Sequence, residues 1–155
     1  MKKLLILFIG FSFALTSCSS DDNGGNTINA SIVGTWTLKK LNSDSDFGFA
    51  TATGEGKDYD ATLTFNDQPN QVFGSGSVVL ELTTYINGIA LSTDEQLISF
   101  ENQFETGQWE LSENKLTLFG QASEVTVTVI KLTSNSLILR YDTDGTTIIT
   151  YEFSR

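Results

Sequence analysis

Nineteen acidic residues, nine basic ones and no histidine define the chemistry open to this chain. Without an imidazole there is no Ser-His-Asp triad, no histidine metal site and no ordinary general base for neutral pH. The one cysteine, Cys18, cannot close an internal disulfide or build a cysteine zinc cluster. Carboxylates are the remaining candidates. A glycosidase needs two of them facing one bond. Glu81, Glu110 and Glu152 instead fall on the outward phase of alternating runs and read as solvated. Asp44, Asp46, Glu55, Asp58 and Asp60 crowd one polar stretch that could gather calcium from solution. Asp142-Thr143-Asp144-Gly145 has the opening spacing of a calcium loop without its later acidic ligands, and reads as a hairpin turn. Ser31 and the other serines have no base to activate them. No glycine-rich phosphate loop follows a strand and opens a helix. The expectation is a protein that is not an enzyme and needs no cofactor and no metal.

The net charge is −10, and loss of residues 1–17, whose only charges are Lys2 and Lys3, would leave about −12. Such a chain repels phosphate backbones, so nucleic acid is not an expected partner. At 155 residues and 39% hydrophobic content it is long and apolar enough for one domain with a real core.

The elements that must carry these residues alternate with a period of two. Around Gly34-Thr35-Trp36, Trp36 and Leu38 share one face while Thr35, Thr37 and Lys39 share the other, the mark of a half-buried strand over 32–41. Residues 42–59 break the pattern, with Phe47, Phe49 and Tyr59 dispersed among Ser, Asp, Gly, Thr and Ala. They read as a long loop folded over an opening. Strands follow at 61–65 (Leu63, Phe65 inward) and 76–86 (Val78, Leu80, Leu82 inward), separated by a turn cluster at 66–70. Asn87-Gly88 is a hairpin signal that returns through 89–92, with a less regular strand at 96–100 and a connector at 101–106. Trp109 and Leu111, then Leu116 and Leu118, Val125, Val127 and Val129, Leu137, Leu139 and Tyr141, and Ile149, Tyr151 and Phe153 alternate to the end, with turns at 112–114, 121–123, 133–135 and 142–145. The fold class is all-β: an antiparallel up-and-down meander of about eight or nine strands closed into a barrel, which removes exposed edges. A barrel of that size holds packed side chains or one small ligand.

The first residues follow a different rule. Met1-Lys2-Lys3 precedes an apolar run over 4–15 that is too short to span a bilayer as a permanent helix. Leu15-Thr16-Ser17-Cys18 resembles the bacterial lipoprotein signal. That resemblance implies cleavage after residue 17 and acylation of Cys18, a palmitate-type lipid anchor to a membrane. Ser19-Ser20-Asp21-Asp22-Asn23-Gly24-Gly25-Asn26-Thr27 is polar and glycine-rich and reads as a flexible tether. A serine after the cysteine favours the outer membrane of the cell envelope. The Ser-Ser-Asp-Asp run resembles an acidic signal by which some Bacteroidetes lipoproteins reach the cell surface. The organisation is then a signal peptide at 1–17, an acylated cysteine and tether at 18–30, and the barrel at 31–155.

Gly34-Thr35-Trp36 matches the Gly-X-Trp of the opening strand of lipocalins and related calycins. With the lipoprotein signal, the meander and the run Ile130-Lys131-Leu132-Thr133-Ser134-Asn135-Ser136-Leu137-Ile138-Leu139, the chain resembles the lipocalin-like lipoproteins of the Bacteroidetes. The resemblance implies a lipocalin-like barrel with Gly34 and Trp36 at its base and an arginine across the tryptophan. Arg140 and Arg155 are the two arginines, and Arg140 is out of phase with the core residues of its strand. It also implies a lumen for a small hydrophobic ligand, with Leu80, Leu82, Trp109, Val127, Leu139 and Tyr151 as candidate lining residues and the 42–59 stretch at its mouth. The alternative is a structural or protein-interaction lipoprotein whose barrel is filled.

Overall fold

The computed structural model describes residues 27–103, 107–119, 124–143 and 145–155. The signal peptide, Cys18, the tether up to residue 26, the 121–123 turn and Asp144 lie outside the described residues. In chain order the strands are β1 (Thr27–Ile28), β2 (Gly34–Asp46), β3 (Thr51–Lys57), β4 (Thr62–Asp67), β5 (Asn70–Ser75), β6 (Ser77–Ile86) and β7 (Ile89–Ser99). One helical turn, α1 (Phe100–Gln103), precedes β8 (Gly107–Ser112), β9 (Lys115–Phe119), β10 (Glu124–Leu132), β11 (Ser136–Thr143) and β12 (Thr147–Ser154). All join one sheet. Its path runs β2-β4-β5-β8-β9-β10-β11-β12 and closes by pairing β12 with β2, an eight-stranded antiparallel barrel. Strands β3, β6 and β7 extend the sheet from the second half of β2, and β1 adds a parallel pair to β10.

The described residues form more strands than the eight or nine expected, and one of the additional strands, β3, comes from residues 42–59. They are not a loop. β2 runs on to Asp46 and returns as β3, with Asn42 opposite Glu55 and Asp46 opposite Thr51. The inward positions on this hairpin are Ser43, Gly54 and Gly56, all buried. They are small because a Cβ on Gly54 would lie 2.9 Å from Leu82 Cδ2, and one on Gly56 2.9 Å from Leu41 Cβ. Neighbouring leucines supply the apolar volume, so the strand shows no apolar alternation of its own.

A bulge sets the phase of β2. Lys40 pairs with Glu152 and Leu38 with Phe153, which leaves Lys39 as the extra residue. Trp36 and Leu38 before the bulge and Leu41 and Ser43 after it therefore all point inward. At the same level the neighbouring strands crease. The N–H of Leu41 donates to Tyr59 Oη at 3.2 Å, and that hydroxyl donates to the Gly56 carbonyl at 2.7 Å. The Asp60 N–H donates to the Ser77 carbonyl at 3.0 Å. Gly76, at φ 73°, sits against Asp60 so closely that a Cβ would fall 1.8 Å from its carbonyl oxygen. Below the crease β4 and β5 build the barrel wall; above it β3 and β6 continue the same two columns as a flap.

Three further details depart from the sequence reading. Asn70, at the end of the expected turn cluster, and residues 71–75, to which the sequence assigns no element, form β5 and pair with β4. The two arms at 89–92 and 96–100 are one exposed strand, β7, and Phe100 leaves it to open α1. Thr27 and Ile28 pair with Lys131 and Leu132, so strand pairing begins ahead of residue 31.

Candidate functional site

The barrel has two unlike ends. At one end Gly34 faces Phe65, the C-terminal strand finishes beside Thr37, and the Arg155 N–H meets the Asn135 carbonyl. Trp36 is wholly buried there, and its indole N–H donates to the Ile32 carbonyl at 2.7 Å. The Arg155 guanidinium lies over the Trp36 ring, its Cζ 4.2 Å from the centroid. It also donates to the carbonyls of Ser134 at 2.6 Å, Val33 at 2.8 Å and Ser31 at 3.3 Å. A planar cation that stacks on a ring while its edge reaches several acceptors is a task for arginine rather than lysine. Arg155 therefore fills the position left open between the two arginines. Arg140 lies at the surface beside Asp142.

Trp109 belongs to this closed end as well. Its ring meets Phe65 edge-on at 5.9 Å, and its indole N–H donates to the Asn66 carbonyl at 2.8 Å. The structure does not bring Trp109 together with the other candidate lining residues.

Those residues lie higher, in two hoops that follow the register around the interior. The lower hoop joins Val129, Leu139, Tyr151 and Leu41, with Gly56 and Leu80 continuing it. The upper hoop joins Tyr141, Ile149, Ser43, Gly54 and Leu82. Val127, buried and paired with Leu116, stands in the same wall. Leu41, Leu80, Val129 and Leu139 are buried, while Leu82, Tyr141 and Ile149 are half-buried and pack onto the core. Apolar cover thus thins from the lower hoop to the upper one.

Phe100 is the residue that sequence reasoning missed here. Its backbone N–H donates to the Gly76 carbonyl at 2.9 Å, which turns the chain inward from the edge of the flap. Its ring is wholly buried, 6.4 Å from the Tyr151 ring and 6.3 Å from the Phe153 ring. It makes a floor between the hoops and the packed base of Trp36, Leu38, Phe65 and Phe153. No pattern in 96–106 signals this, because one apolar residue at the end of an exposed strand has no period.

Electrostatics inside the barrel are sparse. Burial, and secondarily the nearby Tyr141, push the Tyr151 phenol up to about 12, so it stays protonated and can donate a hydrogen bond at neutral pH. On the outside, Lys57 bridges Glu81 at 2.7 Å and Glu95 at 2.6 Å, which holds its ammonium charged. Glu152 lies 3.8 Å from Lys40. Asp46 accepts the Gly48 N–H at 2.8 Å and Asp142 accepts the Gly145 N–H at 2.8 Å, so both carboxylates close turns. Among the described residues no three acidic or cysteine side chains converge as a metal site.

The family model of the lipocalin-like domain matches residues 32–139, well over half of the chain. The chain belongs to the lipocalin-like domain family. No curated protein and no solved structure matches it significantly. In this lipocalin-like domain the Gly-X-Trp strand, the Trp36–Arg155 stack and the closed base are one assembly. The graded interior lies above them.

Proposed function

We propose that this lipocalin-like protein is a membrane-anchored binding module that holds one small hydrophobic molecule in the upper part of its barrel. The carrying observation is the upper hoop. Leu82, Tyr141 and Ile149 line a concave wall yet keep part of their apolar surface uncovered, the arrangement expected of a ligand pocket. Tyr151 adds a protonated hydroxyl beneath them, so a ligand with one acceptor atom on an apolar body suits the site. The anchor is the acylated Cys18 read from the lipoprotein signal, with the outer membrane of the cell envelope as the location. Catalysis has no part in this reading.

A second reading has its own observation. Phe100 and Trp36, Leu38 and Phe65 beneath it are wholly buried, and Phe153 nearly so. A barrel filled to the mouth would be a structural or protein-interaction lipoprotein with no ligand.

Native mass spectrometry of the purified protein, followed by displacement of an apolar fluorescent dye, separates the two. A bound small molecule, or dye binding weakened at least ~10-fold by Ile149→Glu, supports the module; absence of both supports the filled barrel. Labelling with a fatty-acid analogue that Cys18→Ser abolishes tests the anchor.

A further inference from the structure

Among the described residues seven large hydrophobic side chains are exposed, and five of them stand at the open end: Phe47, Phe49, Ile86, Ile89 and Leu91. Phe49 is 78% exposed and Ile89 68%. The register brings their two hairpins together, because Thr51 pairs with Tyr85 and Ile86 with Ile89. Both tips protrude. A Cβ added to Gly48 or Gly88 would meet nothing within 4 Å. Both tips are also free of charge: residues 47–54 and 82–93 contain no Asp, Glu, Lys or Arg, although the chain carries 28 such residues. Asp46, Glu55, Glu81 and Asp94 bound these stretches.

We infer that the two hairpin tips dock on a lipid bilayer and insert their apolar side chains among its acyl chains. A protein partner would need a surface shaped to two separate projections. An acyl layer needs only apolar side chains without charge, and that is the composition of the tips. Charge begins at Asp46, which pairs with Thr51 and so stands level with Tyr85 at the boundary where aromatic rings with a polar tip settle; Glu55, Glu81 and Asp94 lie further down the strands, away from the tips. The chain ahead of the barrel fits the same geometry. Eight residues separate Cys18 from Thr27, and the nine Cα-to-Cα steps reach about 30 Å when extended. Strand β12, with eight residues, runs from the open end to the closed one over about 27 Å. A tether fixed at the closed end is long enough for the open end to face the membrane that holds it. An apolar molecule could then pass between barrel and bilayer without crossing water. Docking does not depend on the interior being occupied.

The test uses the full chain on phosphatidylcholine vesicles whose acyl chains carry bromine, a contact quencher of tryptophan. Phe49→Trp places a reporter on one tip, and Glu110→Trp places one on the exposed face of β8. Trp36 and Trp109, both at the closed end, give the shared background. The expected result is that the added fluorescence of the F49W chain falls by at least half while that of the E110W chain does not change. Quenching should persist in 0.5 M salt and without anionic lipid, because the tips carry no cation. Adding Ile89→Asp to the F49W chain should remove most of it. Equal quenching of the two reporters, or none at F49W, overturns the inference. Concentration-dependent dimers seen in sedimentation without quenching would assign the tips to a second copy instead.

Discussion

Tyr151 is a side chain whose titration the fold displaces by burial. Its phenol ionises near 10 in an unfolded chain and near 12 in the fold, because burial disfavours the phenolate. The folded pKa is the higher one, so the contribution to stability is complete below about pH 10 and is lost as pH rises through 12. Tyr151→Phe keeps the ring between Phe100 and Phe153 and removes the proton. Between pH 9 and pH 12 the native protein should therefore lose about 2–3 kcal/mol more unfolding free energy than Y151F, as read from urea titrations. Equal losses would mean that water reaches the hydroxyl freely. At the same scale, Arg155 shows what a lone residue conceals. Phase excluded Arg140 from the core, but only the folded chain brings its last residue back over Trp36.

The crease is the decisive element. It lets two strand columns serve first as barrel wall and then as flap, and it depends on Gly76, whose φ of 73° and contact with Asp60 both refuse a side chain. Gly76→Ala should cost about 3–4 kcal/mol of stability, from the left-handed backbone and the clash together. Gly48→Ala is the comparison. Its φ is 80° but open space surrounds it, so it should cost about 1 kcal/mol. Thermal or urea unfolding of the two variants reads the difference, and similar losses would show that the crease yields. The β2–β3 hairpin illustrates why this region was hard to read. Inward Ser43, Gly54 and Gly56 leave room for Leu41, Leu80 and Leu82, so period-two alternation of volume replaces alternation of hydropathy. The glycines two apart in Thr-Gly-Glu-Gly-Lys were the one available signal.

At the level of the whole molecule the barrel is packed at its base and graded toward its mouth, and Phe100 marks the division. Truncating it tests how interior volume is shared. Phe100→Ala should cost about 3–5 kcal/mol of stability, and apolar dye affinity should rise several-fold as the floor drops toward Phe153. Lost stability with unchanged dye binding would mean that the walls collapse into the space. Much of this architecture was legible in advance. Alternation in 61–65, 76–86 and 107–155, the Asn87-Gly88 turn and the Gly34-Thr35-Trp36 strand together specify an antiparallel meander that buries one face, since each is a local consequence of side chains pointing alternately to two sides of a strand. Which strands meet at the closure (β12 onto β2), which arginine lies over Trp36, the crease and the Phe100 floor were decided only in three dimensions. Each joins residues far apart in the chain or depends on how much space a neighbour leaves, and neither quantity has a period along the sequence.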